Sequence, residues 1–282
     1  MKKNSFGDFS PKYRNKKKAN IVVLPILYDK TSTWIRGSDN GPKAILEASY
    51  NLEFYDIETN SEVYKKGIYT DKPITGIKSP EKLVKKVEEV TLKWLSKNKF
   101  MIALGGEHTI SVGVVKAYSK IYNDISVLQL DAHTDLRDSY MGSKYNHACV
   151  MSRIKEICPI VQVGIRSMDI EEKAKTDNDK IFYAEKIYDN DKWMKSAIKK
   201  LSENVYITID LDVFDPSIMP STGTPEPGGL LWYQVLKFLK LVSLQKKIIG
   251  FDVVELCPDK HNKAPDYMAA KLIYKLLSNI FN

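Results

Sequence analysis

Ile125-Ser126-Val127-Leu128-Gln129-Leu130-Asp131-Ala132-His133-Thr134-Asp135 is the stretch on which the reading of this chain turns. Its first six residues are mostly apolar, β-branched or leucine, the pattern of a buried strand. At Asp131 the pattern switches abruptly to side chains that bind protons and cations. Carboxylate, imidazole and carboxylate occupy alternate positions, 131, 133 and 135. Alternate residues of an extended chain point the same way, so one short segment aims three donors at one point. Divalent metals such as Mn²⁺ and Zn²⁺ accept that mixture of oxygen and nitrogen donors. A single Asp-x-His-x-Asp is also compatible with an ordinary polar loop. A second cluster, Asp210-Leu211-Asp212, again at the end of an apolar run, favours the metal reading.

Working outward, apolar runs alternate with amphipathic ones. Residues 21–27, 100–104, 160–163, 181–184, 205–209 and 248–254 read as further strands, with 68–69 in a short one and Pro25 an awkward member of the first. Helices are expected over 43–53 after Pro42, over 80–96 with Ser79 as cap, and over 109–121. Others begin near His147 or cover 191–201, 232–244 and 264–279. Residues 54–78 carry little pattern, and 213–231 form a loop rich in proline and glycine. Strands separated by helices predict a mostly parallel sheet with helices on both faces. Residues 1–19 read as a basic arm outside the core or loosely laid across it, and 20–282 as one domain.

The chain has 282 residues, 43% of them hydrophobic, enough for a substantial core. No apolar run approaches the length of a membrane span, and the lysine-rich start lacks the hydrophobic segment of a secretory signal. Cys149, Cys158 and Cys257 are too few and scattered for a disulfide framework, so they read as buried thiols in a reducing cytoplasm. The net charge is +8, and Lys16-Lys17-Lys18 invites a nucleic-acid reading. No platform of interleaved aromatic and basic residues accompanies it, so a lysine-rich solvated surface is expected, with neither nucleic acid nor membrane as partner.

Four segments that follow strands carry the unusual polar residues: Gly105-Gly106-Glu107-His108, residues 131–135, Asp210-Leu211-Asp212, and Val254-Glu255. In open α/β sheets ligands bind beyond the carboxyl ends of the strands, so these segments are expected to converge. Three of the four histidines, His108, His133 and His147, lie in or just after such segments. Asp131, Asp135, Asp210 and Asp212 together bring four negative charges into one pocket, which repel one another unless cations neutralise them. Two divalent cations, about 3.5–4 Å apart with water between them, cancel that charge and lower the pKa of the water. The hydroxide then leaves the site slightly negative, which suits a cationic substrate.

Gly105-Gly106-Glu107-His108-Thr109, Asp131-Ala132-His133-Thr134-Asp135 and the run from Asp210 to Pro216 resemble the three metal motifs of the arginase/agmatinase (ureohydrolase) family. The loop from Ser221 to Gly229 and the segment from Asp252 to Pro258 resemble that family's loop after the last metal ligand and its substrate-binding segment. The similarity runs from about residue 20 to the end. It implies an arginase-like three-layer α/β/α sandwich, two Mn²⁺ per subunit, and a homotrimer or homohexamer in the cytoplasm.

Carried over by the resemblance, one Mn²⁺ is held by His108, Asp131, Asp135 and Asp210, and the other by His133, Asp131, Asp210 and Asp212. Glu255 receives the guanidinium, whose planar fork a carboxylate matches, and Thr224 adds a hydrogen bond. Asp135 accepts a hydrogen bond from the attacking water. His147 both borders the substrate and delivers a proton to the departing amine. Glu107 reads as a supporting residue, and Asp215 as a brace for its loop. The implied function is hydrolysis of agmatine to urea and putrescine, a step of polyamine biosynthesis. N1-aminopropylagmatine is the alternative substrate, with arginine and guanidinobutyrate after it. A deacetylase-type amide hydrolase or a non-catalytic binding protein of the same fold is the competing class. Glu255 is an odd choice facing a neutral acyl-lysine, and every expected ligand of an active site is present.

Overall fold

The strands form because their runs of valine, isoleucine and leucine bury side chains on both faces. In the computed structural model, which describes residues 4–282, they assemble in chain order as β1 (Ile21–Ile26), β2 (Ile68–Thr70), β3 (Phe100–Gly105), β4 (Ile125–Leu130), β5 (Ile160–Ile165), β6 (Ile181–Tyr183), β7 (Asn204–Asp210) and β8 (Lys247–Val254). Among the described residues these make one eight-stranded sheet in the order β2-β1-β3-β8-β7-β4-β5-β6, every pairing parallel. Parallel neighbours need crossovers. The helices supplying them include α1 (Gly41–Ser49), α2 (Pro80–Leu95), α3 (Ile110–Ser119) and α4 (Val150–Lys155). After the short α5 (Ile170–Lys173) and α6 (Ala184–Ile187) come α7 (Lys192–Lys199), α8 (Trp232–Gln245) and α9 (Ala264–Ile280).

Alternate strand residues feed two separate cores. Val22, Leu24, Met101, Ala103 and Val127 pack with α2, α3 and α4. Ile21, Val23, Ile102, Leu104, Leu128 and Leu130 pack with α1, α7, α8 and α9. The result is the expected three-layer α/β/α arrangement.

Several local readings are sharpened. Pro25 stays inside β1 because β2 pairs only with Ile21, Val22 and Val23, so the missing proline N–H falls in the gap between that ladder and the separate Ile26–Ile74 bridge. Gly164 does not end β5. It adopts φ 95° and the register shifts there, so the strand bulges and continues to Ile165. Ser79 caps α2 by accepting from the Lys82 N–H. α5 and α6 were not expected from the sequence; one turn is too short to show a period. Cys149 and Cys158 are buried as unpaired thiols, but Cys257 is only half-buried. No helix among the described residues is long and apolar enough to cross a membrane.

Residues 1–3 of the expected N-terminal arm lie outside the described residues. Farther along that arm, Phe6 and Phe9 do not lie outside the core but are buried in it, Phe9 packing edge-on to Phe54 and stacked on Tyr64. The Phe6 N–H also donates to Thr70 and the Gly7 N–H to Ser49. The lysines of the segment had masked its aromatic residues. Phe6→Ala is therefore expected to lower unfolding stability by about 3–5 kcal/mol, read from the denaturant midpoint. An unchanged midpoint would show that this segment is not part of the cooperative unit.

Candidate metal centre and active site

Four adjacent strands, β3, β8, β7 and β4, end on one edge of the sheet, and each passes into a polar turn. The turn after β3 needs both its glycines: a Cβ on Gly106 would come within 2.1 Å of the Tyr28 carbonyl oxygen. Gly106 N–H donates to Ile26 and its carbonyl accepts from Glu255 N–H, so this turn is clamped between two others. Asp131 and Asp210 each accept from the backbone N–H two residues on, at 2.6 and 2.9 Å, which folds each aspartate over its own turn. Asp135 and Glu255 adopt left-handed backbone, φ 52° and 65°. That conformation is unfavourable for both residue types by about 1–2 kcal/mol, and here it aims two carboxylates inward.

The side chains converge. His108 Nδ1 lies 3.2 Å from Asp131, 3.1 Å from Asp135 and 3.5 Å from Asp210. His133 Nδ1 lies 2.9 Å from Asp212 and 3.7 Å from Asp131. Asp131 thus belongs to both groups. One cavity of about 260 Å³ is lined by His108, His133, Asp135, His147, Asp210, Asp212, Thr224 and Glu255, among others. Every candidate residue from the sequence is in that lining except Asp131, which is fully buried against it.

Whether this donor set suits metal is decided by His108. Its Nδ1 is buried and has no hydrogen-bond partner. Its Nε2 lies 2.8 Å from Thr208 Oγ1, while Thr208 donates its own proton to Asp252 at 2.6 Å. Tyr206 donates to the other oxygen of Asp252. Thr208 is left to accept, so Nε2 carries a hydrogen in either protonation state; the neighbouring carboxylates keep the metal-free ring protonated, and loss of the second proton frees an Nδ1 lone pair that faces three carboxylate oxygens. A buried imidazole nitrogen that has no hydrogen-bond partner and stands among carboxylates fits a divalent cation, which displaces its proton.

The charges say the same. Burial, then the neighbouring carboxylates Asp212 and Asp131, push Asp210 well above the usual carboxylate range. Burial and Asp131 raise Asp135 to about 7. Burial opposes a charged ring at His133, yet Asp212 and Asp131 overcome it and raise its pKa to about 12. Without cations the cluster therefore retains protons that metal must displace. By contrast, burial and then the positive charge at His108 and His133 lower His147 to about 4.

Sequence reasoning missed the row that holds these candidate ligands. Asp252, Thr208, Gln129 and Gln162 are register partners across β8, β7, β4 and β5, and all four are buried. Gln162 donates to the Gln129 carbonyl oxygen at 2.6 Å, and the Gln129 amide then donates to Asp131 at 2.7 Å. The available signal was an isolated polar residue, Gln129, Gln162, Thr208 or Asp252, inside each of four mostly apolar runs. Arg166 was also missed: its guanidinium donates to the carbonyls of Gly164, Asp212, Phe214, Glu226 and Pro227, fastening the 213–231 loop beside Asp212. Asp215 braces the same loop by accepting from the Gly228 and Gly229 N–H groups.

Two outcomes follow from this geometry. Thr208→Val removes the acceptor for His108 Nε2–H, and Mn²⁺ affinity by equilibrium dialysis should fall about 10–100-fold. Unchanged affinity would mean the Thr208 contact does not orient the ring. Because His133 holds a proton up to about pH 12 in the metal-free site, binding releases protons and tightens as pH rises. Between pH 6 and 8 the affinity should increase at least about tenfold per pH unit; a flat profile would contradict the protonated cluster.

The family model described as "Arginase family" matches residues 19–278. An N(1)-aminopropylagmatine ureohydrolase from Synechocystis sp. is 40% identical over 270 residues, covering 92% of this chain and 88% of that protein. An agmatinase from Pyrococcus horikoshii is 34% identical over 265 residues, covering 93% and 92%. The crystal structure of an agmatine ureohydrolase from Thermoplasma volcanium superposes with a TM-score of 0.86 at 35% identity, covering 94% of this chain and 90% of that one. On these grounds the chain belongs to the arginase family and is a hydrolase of guanidino groups.

Proposed function

We propose that the enzyme hydrolyses the guanidino group of N1-aminopropylagmatine, releasing urea and a triamine, and takes agmatine as its second substrate. The sequence alone ranks agmatine first. The order is reversed by the 40% identity to a relative named for aminopropylagmatine, against 34% for the agmatinase. Arg137 is the only lysine or arginine among the described residues lining the cavity, and it is shared with Asp169 at 3.2 Å. A polycationic chain therefore meets mostly carboxylates in a cavity that Trp34 and Tyr140 also line.

The single observation that carries the hydrolytic reading is the buried His108 Nδ1, without a hydrogen-bond partner and faced by three carboxylates. In this proposal His108, Asp131, Asp135 and Asp210 hold one Mn²⁺, and His133, Asp131, Asp210 and Asp212 hold the other. When bound, the cations supply acidified water and offset developing negative charge. The remaining work falls to the chain. Glu255 receives the guanidinium; its Oε1 is fixed by the His108 N–H at 2.7 Å, which leaves its other oxygen for the substrate. Thr224 lines the same cavity and adds a hydrogen bond. Asp135 accepts a hydrogen bond from the water that attacks the guanidinium carbon. As the carbon–nitrogen bond breaks, His147 brings a proton to the departing amine.

The test is urea release with added Mn²⁺ from N1-aminopropylagmatine, agmatine, arginine, guanidinobutyrate and, as a control for the rival class, an acetylated polyamine. Aminopropylagmatine should give the highest kcat/KM, with agmatine next. Arginine or guanidinobutyrate at the top would overturn the substrate, and acetate release without urea would overturn the reaction.

A further inference from the structure

The reaction needs His147 to present one particular nitrogen to the substrate, and the imidazole alone does not decide which. A neutral imidazole has two tautomers, selected by the partner of the ring nitrogen facing away from the chemistry. Here that partner is Thr31, in the loop after β1. Thr31 Oγ1 lies 3.1 Å from His147 Nδ1 and also accepts the His147 backbone N–H at 3.0 Å.

The direction of the ring contact follows from Glu107. This buried carboxylate takes four donors: the Lys30 and Thr31 N–H groups at 2.7 Å each on one oxygen, and the Thr31 and Thr109 hydroxyls at 2.7 and 2.6 Å on the other. A carboxylate engaged in this way only accepts. The single Thr31 hydroxyl proton is therefore given to Glu107, and both lone pairs of Oγ1 are left to receive hydrogens from His147, one from its backbone and one from its ring. His147 Nδ1 must carry the hydrogen, and Nε2, on the other side of a ring that lines the cavity, is left with the lone pair.

We propose that Thr31, oriented by Glu107, is a positioning residue that locks His147 in the Nδ1–H tautomer, so that Nε2 is the atom that takes up a proton and hands it to the leaving amine. The step balances with the attacking water: as its oxygen bonds to the guanidinium carbon it gives up a proton, Nε2 takes that proton and passes it to the amine nitrogen, the amine keeps the electron pair of the broken carbon–nitrogen bond, and the Nδ1 hydrogen stays bonded to Thr31 Oγ1 throughout. The kinetic half of this assignment rests on the proposed hydrolysis; the tautomer does not. No motif contains Thr31, and a separation of 116 positions from His147 hides the connection in the sequence.

The test joins a spectrum to a pair of substitutions. Solid-state ¹⁵N NMR of histidine-labelled enzyme loaded with Zn²⁺, a d¹⁰ ion, reports the tautomer, and with four histidines in the chain a His147→Asn control assigns the signal. Wild type and Thr31→Ser should show a protonated Nδ1 and a bare Nε2; Thr31→Val should lose that preference. With the best substrate of the panel and Mn²⁺, Thr31→Val should lower kcat about tenfold or more while KM stays within about twofold, and Thr31→Ser should restore most of it. A His147 that carries its hydrogen on Nε2 in the wild type, or a Thr31→Val enzyme with wild-type tautomer and kcat, would overturn the proposal. If no guanidino compound yields urea but the Nδ1–H tautomer is present and depends on Thr31, the positioning stands and the proposed reaction falls.

Discussion

Mutual repulsion among buried carboxylates is the constraint that shapes this protein. Asp131, Asp135, Asp210 and Asp212 sit beside one another at the edge of a sheet, buried and, among the described residues, without a lysine or arginine paired to them. Such a cluster is stable only if protons or cations neutralise it. Protons suffice for the empty site: the rings of His108 and His133 take them up, and burial drives Asp135 and Asp210 toward their neutral forms. Divalent cations neutralise the same charge and add chemistry. The left-handed backbone at Asp135 and Glu255 makes sense in this light, since strain that aims carboxylates at one another is tolerated where binding a cation repays it.

The supporting structure is as specific as the cluster. A parallel sheet places the ends of β3, β8, β7 and β4 side by side, although their residues are widely separated in the chain. One rank of polar side chains crosses four of the strands beneath the site and fixes a histidine through Thr208 and an aspartate through Gln129. Glu107 does comparable work on the other flank, gathering four donors and passing orientation to His147 through Thr31. Arg166 ties the long loop to the Asp212 turn by five carbonyl contacts. His108, Asp131, the Asp212 turn and His147 thus each have a neighbour that holds them in place, and Thr208, Gln129, Arg166 and Thr31 are not in the cavity lining.

Much of this was legible before any coordinates. The alternation of apolar strands and amphipathic helices predicts the parallel sheet, because a strand such as residues 125–130, mostly apolar on both of its faces, has to be covered on both. The donor positions were readable because Asp131, His133 and Asp135 interrupt that apolar pattern sharply. The orienting residues were harder to see. A lone Gln129 or Thr208 inside a strand looks like noise until register shows that it lies opposite Gln162 or Asp252, and register is a property of the folded sheet. The anchoring of the first residues was hidden for another reason: composition over 1–19 is dominated by lysine, while the contacts that matter come from Phe6 and Phe9. Gly164 illustrates a third kind of blindness, since a glycine at the end of an apolar run signals a stop and a bulge equally well.

Anomalous scattering from a crystal of the Mn²⁺-loaded enzyme, recorded at the manganese edge, tests the central claim most directly. The account predicts two peaks per chain, about 3.5–4 Å apart, one beside His108 Nδ1 and one beside His133 Nδ1, with Asp131 between them. A single peak, none, or density away from these carboxylates would contradict it.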